Sequence, residues 1–162
     1  MKTKHVRKIS RRDTLKGMLG AAAQMFVPGR VLGAVAPSKR ITLGFIGMGS
    51  QGTHNNLTNF LAQDDAQVLA VCDVFRSRSQ AAQKMVHERC KNTDCKSYTD
   101  FRSIIDDKSI DAAVISTPDH WHVPMSLMAL EAGKDVFCEK PTKTIAEGRA
   151  LVDLAAKRKA VF

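Results

Sequence analysis

The sequence predicts an α/β fold in which a parallel β-sheet is covered by helices on both faces. From Arg40 onward, short continuous apolar runs alternate with helix-like segments, an order typical of parallel sheets with helical crossovers. The first apolar run, Ile41–Ile46, passes directly into a glycine-rich turn. At 162 residues, the chain is long enough for one domain with a core of its own.

Periodicity and capping residues place the elements along the chain. Leu57–Leu61 carries apolar residues at the spacing of one helical face. Thr144 and Glu147 form a capping box, in which each side chain satisfies a free backbone donor at the start of the following helix. Gly133 is placed to end the helix before it. After the first strand, the predicted order is a helix around 57–61, a strand at 67–73, a polar helix at 77–90, a brief strand at 97–98, a helix entered at 99–100, a strand at 111–117, a helix around 123–130, a strand at 135–138, a helix from 145 to about 159 and the beginning of a strand at 160–162.

The positive charge of the chain lies before the predicted sheet. Residues 1–40 contain ten Lys and Arg against one acid, Asp13, whereas residues 41–162 contain fifteen basic and fifteen acidic side chains. A surface that tracks phosphates needs Lys and Arg clustered on the folded domain. The neutral body therefore argues against nucleic acid as a partner.

The basic N-terminal segment, residues 1–36, is predicted to be a signal peptide and linker. Ser10–Lys16 resembles the twin-arginine motif, with Thr14 where that motif usually carries Phe, and the apolar stretch Met18–Val27 follows. Small residues near positions 33 and 36 offer cleavage sites. Because a bilayer span needs about 20 apolar residues, we expect export to the periplasm or beyond without a permanent membrane anchor. A disordered basic tail is the alternative interpretation.

The four cysteines do not indicate a metal site. No Cys-x-x-Cys or Cys/His cluster has the spacing of a zinc site, so no metal is expected. Cys72 and Cys138 lie in apolar runs, where a free cysteine acts as a small buried hydrophobe. Cys90 and Cys95 flank a polar loop and could form a disulfide after export.

The glycine-rich turn has the pattern of a dinucleotide-binding site. Three glycines at the spacing G-x-G-x-x-G follow a strand and open a helix, and Asp73 comes 21 residues after the last of them, at the end of the second strand. The first glycine permits the tight turn, the second lets the backbone approach a pyrophosphate, and the third allows close packing of helix on strand. This setting favours a dinucleotide site over a merely structural turn, and it predicts that the parallel sheet is of the doubly wound, Rossmann type. The residues predicted to contact the cofactor here are Gly47, Gly49, Ser50, Gln51 and Gly52.

The choice between NAD and NADP depends on the end of the second strand. Asp73 is placed to accept hydrogen bonds from the adenosine ribose hydroxyls and to repel a 2′-phosphate, which favours NAD. Arg76 and Arg78 follow directly and could instead pair with that phosphate, so NADP stays possible.

Three further motifs, taken together with the glycine turn, carry a family resemblance. Thr117–His122 lies where a strand's carboxyl end meets the next helix, and Ala129–Lys134 and Glu139–Pro141 follow in order. As a set, these motifs across residues 41–162 resemble the Gfo/Idh/MocA oxidoreductases, specifically their N-terminal NAD(P)-binding domain.

The resemblance implies roles for five residues. In that family the lysine of the Glu-Lys-Pro triplet lies beside the nicotinamide and takes part in substrate binding and proton transfer, which makes Lys140 the candidate catalytic residue. Glu139 would bind the nicotinamide-side ribose, and Thr117 and Pro118 would line the cofactor cleft. His122 matches the family's histidine at the start of a helix, although a residue there that only positions the backbone is an equal alternative.

The resemblance also implies what the chain does in a complete enzyme. Complete members carry a second α/β domain that forms the substrate site and the contacts of a homo-oligomer, and residues 40–162 are expected to end before that domain. The favoured interpretation is the NAD-binding half of an exported oxidoreductase acting on a sugar or cyclitol CH–OH group, inactive on its own. The alternatives are the family's NAD-dependent glycosidase branch and a non-catalytic dinucleotide-binding remnant.

Overall fold

The computed structural model describes residues 39–162, and the predicted signal peptide and linker lie outside these residues. Within the described residues, five strands alternate with five helical segments. In chain order the elements are β1 Ile41–Ile46, α1 (π-helical Gln51–Leu57 continuing as Thr58–Phe60), β2 Ala66–Cys72, α2 Arg76–Cys90, β3 Lys96–Tyr98, α3 Arg102–Ile105, β4 Ala112–Ile115, α4 Asp119–Glu131, β5 Asp135–Cys138 and α5 Ile145–Arg158.

The five strands form one parallel sheet in the order β3-β2-β1-β4-β5. The last residue of β1, Ile46, pairs with Cys72 of β2 on one side and with Ile115 of β4 on the other. From β1 the chain first builds outward through β2 and β3, and then returns to the opposite side of β1 to add β4 and β5. This reversal confirms the predicted Rossmann-type, doubly wound sheet, and it opens a crevice between the carboxyl ends of β1 and β4.

Apolar side chains cover both faces of the sheet, as the uninterrupted apolar strands predict. On one face, Phe45 of β1 packs in a cluster with Leu57 of α1 and Val86 of α2. On the other face, the larger cluster includes Ile46 of β1 and Leu130 of α4, together with apolar residues of α3 and α5. Helices therefore lie on both faces, and the turns at the carboxyl edge of the strands stay free for a ligand.

The predicted helix ends are confirmed in detail. Thr144 Oγ1 accepts a hydrogen bond from the Glu147 main-chain N–H at 3.1 Å, and the Glu147 carboxylate accepts one from the Thr144 N–H at 3.0 Å. Gly133, with φ of +82°, follows the end of α4. The predicted strand at 160–162 is not formed, but the Val161 carbonyl accepts a hydrogen bond from the Val136 N–H at 3.0 Å, so this segment lies along the outer edge of β5.

The side chains of two polar residues, Lys134 and Asp111, hold the loop that precedes β4. Lys134 is almost fully buried, and its ammonium group donates to the main-chain carbonyls of Asp107 and Ile110, at 2.6 and 2.9 Å. The Asp111 carboxylate accepts from the Thr42 N–H at 2.8 Å and from the Thr42 hydroxyl at 2.7 Å. These hydrogen bonds hold the pKa of Asp111 below its ordinary value. The loop between α3 and β4 is thereby fixed to β1 and to the end of α4.

The cysteines of the described residues are all free. Cys72 is buried, as predicted, and Cys138 is half-buried. Cys95 is buried and Cys90 is exposed, and no disulfide joins them. Burial raises the pKa of the Cys72 and Cys95 thiols to about 12.

Candidate functional site

The glycine turn between β1 and α1 needs glycine at two positions for its own geometry. Gly47 has φ of +92°, and a Cβ there would lie 2.7 Å from the main-chain carbonyl carbon and oxygen of Ser116, in the turn that follows β4. A Cβ at Gly52 would overlap the Gly47 carbonyl oxygen. A side chain at Gly47 would push the glycine turn away from the turn that follows β4, and one at Gly52 would break the close packing of α1 against the end of β1.

Gly49 differs from the other two glycines because space is open around it. A Cβ built there meets no atom within 4 Å, and its φ lies outside the left-handed region. The fold therefore does not need glycine here. The empty volume lies at the N-terminus of α1, where exposed backbone N–H groups attract an anion. This is the position through which a pyrophosphate would approach the backbone.

Asp73 ties the end of β2 to the glycine turn. Its carboxylate is buried and accepts from the Met48 N–H at 2.8 Å through Oδ2 and from the Phe75 N–H at 2.8 Å through Oδ1. A carboxylate oxygen has more than one lone pair, so each keeps capacity for a further donor such as a ribose hydroxyl. Asp73 thus shapes the turn as well as lining the cleft beside it.

A cleft of about 490 Å³, which we call the main cleft, lies over the carboxyl ends of β1, β2 and β4. Beyond the predicted residues, it is lined on the β2 side by Val74, Phe75 and Arg78. The Arg78 guanidinium carbon lies 4.7 Å from the centre of the exposed Phe75 ring, within cation–π distance. Seven predicted residues line the main cleft: Gly47, Gly49, Ser50, Gln51, Asp73, Thr117 and Pro118.

A second cleft of about 310 Å³, which we call the lysine cleft, continues from the main cleft toward β5. Lys140 is exposed at this cleft, next to Glu139. Asp119, at the start of α4, also lines it. The two clefts share Gln51, Ser116 and Thr117, so the Asp73 side and the lysine side form one continuous groove.

Glu139 is held by amide side chains from α1. Its Oε1 accepts from Gln51 Nε2 at 2.8 Å and from Asn56 Nδ2 at 2.9 Å, and its N–H continues the ladder by donating to the Ile115 carbonyl at 3.0 Å. These side-chain hydrogen bonds, that of Asn56 first, hold the pKa of Glu139 below its ordinary value. The carboxylate therefore keeps its charge beside the lysine cleft.

His122 is buried between the two turns that flank the lysine cleft. Its Nε2 lies 2.7 Å from the Thr117 carbonyl oxygen and its Nδ1 lies 3.0 Å from the Pro141 carbonyl oxygen. Each ring nitrogen thus lies within hydrogen-bond distance of a main-chain carbonyl, one on either side of the groove, and a nitrogen that carries a proton donates to its carbonyl. In this structure His122 joins the turn after β4 to the turn that carries Lys140.

The described residues fit a dinucleotide along this groove. The space at Gly49 is open, and Thr117 Oγ1 is buried without a hydrogen-bond partner among residues 39–162. The groove runs from Asp73, near Arg78, past the glycine turn to Glu139 and Lys140. Ten of the eleven predicted site residues line it, and Gly52 packs beneath it.

Asn56 and Ser116 take part in the site although the motifs do not mark them. Asn56 Nδ2 donates to Ser116 Oγ at 2.8 Å as well as to Glu139. These two residues are sixty positions apart in the sequence and meet only in the folded chain. In the sequence, the one indication of a role for Asn56 is its position in the helix that follows the glycine motif. That position does not predict which residues Asn56 contacts.

Two other kinds of site are not found in the described part of the chain. Residues 39–162 contain no group of three or more His, Cys, Asp or Glu side chains that could hold a metal ion. Over the same residues, no helix has both the length and the apolar character required to cross a membrane.

The fold and the groove define a Rossmann domain that binds a nicotinamide dinucleotide. Comparison with protein families agrees, because residues 41–162 match the family described as "Oxidoreductase family, NAD-binding Rossmann fold". The chain belongs to this family, Gfo/Idh/MocA, as the motifs predicted.

The relatives of the chain include both hydrolases and dehydrogenases. It is 30% identical over 132 residues to glycosyl hydrolase family 109 protein 1 of Shewanella sp. (strain MR-4), a match that covers 78% of this chain and 28% of the relative. It is 29% identical over 132 residues to an alpha-N-acetylgalactosaminidase of Shewanella oneidensis, with the same coverage. Among solved structures, a protein assigned as a myo-inositol dehydrogenase from Sinorhizobium meliloti 1021 superimposes with a TM-score of 0.66 at 27% identity, over 75% of this chain and 34% of that chain. The chain thus spans little more than a quarter of the length of these curated relatives.

Proposed function

We propose that residues 40–162 bind NAD as the cofactor domain of an oxidoreductase that acts on a CH–OH group of a sugar or cyclitol. The observation that carries this proposal is the continuous groove from Asp73 through the open backbone at Gly49 to Glu139 and Lys140. Along the groove come the Asp73 carboxylate as an acceptor for ribose hydroxyls, the backbone at Gly49 as a site for the pyrophosphate, and the charged side chains of Glu139 and Lys140. This is the order in which a dinucleotide would present its adenosine ribose, its pyrophosphate and its nicotinamide side.

The preference for NAD over NADP is supported by the charge of Asp73. Its buried carboxylate lines the main cleft beside the position expected for the adenosine ribose, where a 2′-phosphate would meet like charge. Arg78 lines the same end of the cleft and supplies the opposite charge. We therefore expect tighter binding of NAD, with measurable binding of NADP.

Lys140 is the residue proposed to take part in the reaction. A bound nicotinamide would supply the hydride acceptor, and Lys140 lies in the adjoining cleft with Glu139 and Asp119. An amine in this position can hold a substrate hydroxyl and move its proton. His122 is proposed to act through the main chain, because its ring nitrogens engage the Thr117 and Pro141 carbonyls.

A glycosidase function is the second candidate, and the names of the curated relatives favour it. Of the two curated relatives described above, one is named as a glycosyl hydrolase family 109 protein and the other as an alpha-N-acetylgalactosaminidase. The two candidates differ in their products. An oxidoreductase accumulates NADH as substrate is consumed, whereas the family's glycosidase branch regenerates its bound NAD and releases sugar without net NADH.

Calorimetric titration of the 162-residue chain with NAD and NADP tests the proposal. We expect saturable binding of NAD, weaker binding of NADP, and neither NADH formation nor sugar release by this chain alone. Activity would then be assayed on the protein extended to the length of its relatives, by absorbance of NADH and by release of nitrophenol from nitrophenyl glycosides. Failure to bind either dinucleotide would refute the proposed function.

Export through the twin-arginine pathway is a separate proposal, supported by Ser10–Lys16 and the apolar stretch after it. Replacing both Arg11 and Arg12 by Lys keeps the charge but removes the pair that the motif requires. We expect the wild-type chain in the periplasmic fraction and the double variant in the cytoplasm. Equal distribution of the two proteins would contradict the proposal.

A further inference from the structure

The helix that follows the glycine turn has an unusual geometry with a direct effect on the site. Gln51–Leu57 is π-helical, and the Thr58 hydroxyl donates to the Thr53 carbonyl, five residues earlier, at 3.1 Å. In an α-helix of about 3.6 residues per turn, side chains five positions apart point about 140° away from each other. A π-helix closes its hydrogen bonds one residue later, which brings positions i and i+5 toward the same side.

Gln51 and Asn56 are the pair that this wider turn brings together. Their side-chain amides converge on one oxygen, Oε1 of Glu139, at 2.8 and 2.9 Å. Gln51 is itself oriented by Asn55, whose Nδ2 donates to Gln51 Oε1 at 2.6 Å. Short π-helical segments occur often at functional sites, and this one places two neutral donors on a single carboxylate oxygen.

The orientation of the Asn56 amide follows from its two partners. Both of its N–H groups are used, one for Ser116 Oγ at 2.8 Å and one for Glu139. The reversed amide would turn its carbonyl oxygen toward the carboxylate, which is repulsive. Asn56 is 7% exposed, so these bonds form where a polar group must be paired to be tolerated.

The Asn56 contact is not required to join the strands. β4 and β5 already pair over four residues, and the Glu139 N–H extends this pairing by its bond to the Ile115 carbonyl. Asn56 adds instead a bond to the Glu139 side chain. Oε2 of Glu139 accepts no hydrogen bond from the described residues, so it stays available to a hydroxyl in the lysine cleft.

We propose that Asn56 is a positioning residue which, together with Gln51, fixes the Glu139 carboxylate so that Oε2 accepts a hydroxyl of the nicotinamide-side ribose. The inference rests on the NAD-binding function proposed above. It assigns a role to the π-helical turn as well: the turn lets two residues of one helix act on the same carboxylate, outside the glycine motif.

The test uses Asn56→Asp, which keeps the shape of the side chain but replaces its donors with charge. The matched control is Asn59→Asp, which adds the same charge to an exposed position of the same helical segment. We expect Asn56→Asp to weaken NAD binding by about ten- to a hundredfold, as for loss of a hydrogen bond to a charged group. ADP, which lacks the nicotinamide-side ribose, should bind the variant and the wild type equally. Carbon-13 NMR titration should show a higher pKa for Glu139 in Asn56→Asp and no change in Asn59→Asp.

A second variant covers the case in which Asn56→Asp does not fold. Gln51→Met removes the other amide from an exposed position, and it should also weaken NAD binding and raise the pKa of Glu139. Equal losses of NAD and ADP affinity would show a general structural role and overturn the inference, as would an unchanged pKa of Glu139. If the wild type binds neither NAD nor NADP, the proposed function fails. If it binds NAD and the variants bind equally well, only the role of Asn56 fails.

Discussion

Replacing Gly49 by alanine should separate cofactor binding from folding. Since a Cβ at this position meets nothing within 4 Å and the backbone is not left-handed, the native fold accommodates the methyl group. Alanine also restricts the unfolded chain, which stabilises a compatible site by about 0.4–1 kcal/mol. We therefore expect the free energy of unfolding of Gly49→Ala to equal or slightly exceed that of the wild type.

The same methyl group should impair binding, because it occupies the space through which a pyrophosphate reaches the backbone. Loss of one hydrogen bond between a backbone N–H and a charged phosphate costs about 1.5–3 kcal/mol. At about 1.4 kcal/mol for each tenfold change, the dissociation constant of NAD should rise by about ten- to a hundredfold.

Gly47→Ala is the contrasting variant. Its backbone has φ of +92°, and its Cβ would lie 2.7 Å from main-chain atoms of Ser116. Holding alanine in such a conformation costs about 1–3 kcal/mol before any steric overlap is counted. This variant should lose stability as well as affinity.

Urea unfolding followed by circular dichroism measures the stabilities, and calorimetric titration measures NAD affinity. A loss of stability in Gly49→Ala as large as that in Gly47→Ala would contradict the prediction for folding. Binding of NAD by Gly49→Ala as tight as that by the wild type would show that the open space is not the approach of the pyrophosphate.

Three further predictions concern polar groups around the sheet and the cleft. Lys134→Met removes the side-chain donor of the Ile110 carbonyl, whereas the Asp107 carbonyl keeps its bond from the Ile110 N–H. The variant should lower the free energy of unfolding by about 1–3 kcal/mol. The exposed Lys108→Met should change it by less than about 0.5 kcal/mol, both measured by urea unfolding. Because hydrogen bonds lower the pKa of Asp111 in the folded state, its stabilisation is present above its unfolded pKa of about 3.9 and is lost as the pH falls through the lower folded value. Asp111→Asn should therefore reduce the difference in the free energy of unfolding between pH 7 and pH 2.5. Because Asp111 is exposed, we expect a reduction of only about 0.5–1 kcal/mol. An unchanged difference would contradict a stabilising role for the Asp111 carboxylate. Arg78→Ala should raise the dissociation constant of NADP about tenfold and that of NAD by less than about threefold, as measured by calorimetric titration, because Arg78 lines the main cleft near Asp73. Arg76 does not line this cleft, so Arg76→Ala should change neither dissociation constant.

The fold could be predicted from the sequence because its signals are local. Continuous apolar strands, a capping box at Thr144 and Glu147, and a glycine at position 133 each specify their own segment. The apolar residues 160–162 predict the beginning of a strand, but a strand needs repeated backbone hydrogen bonds to its neighbour. Here Val161 offers β5 one backbone acceptor.

The site could be predicted only where a motif names its residues. The glycine turn and Asp73 have a fixed spacing, so their meeting follows from the strand–helix–strand order. The bonds of Asn56 to Ser116 and Glu139 connect parts of the chain that are 60 and 83 residues apart. No local pattern encodes that pairing, and the spacing of apolar residues at 57–61 does not distinguish a π-helical from an α-helical turn before it.

The strand order also has a consequence for the time course of folding. β1 pairs with β2 across 25 residues, from Ile41 to Ala66, but with β4 across 69 residues, from Leu43 to Ala112. Closing the longer loop costs about 1 kcal/mol more in chain entropy, since the cost grows by about 0.6 kcal/mol for each doubling of loop length. We therefore expect the half of the groove near Asp73 to assemble before the half near Lys140. A nascent chain would then acquire its affinity for the adenosine end of a dinucleotide first, and for the nicotinamide end only after β4 and β5 have joined the sheet.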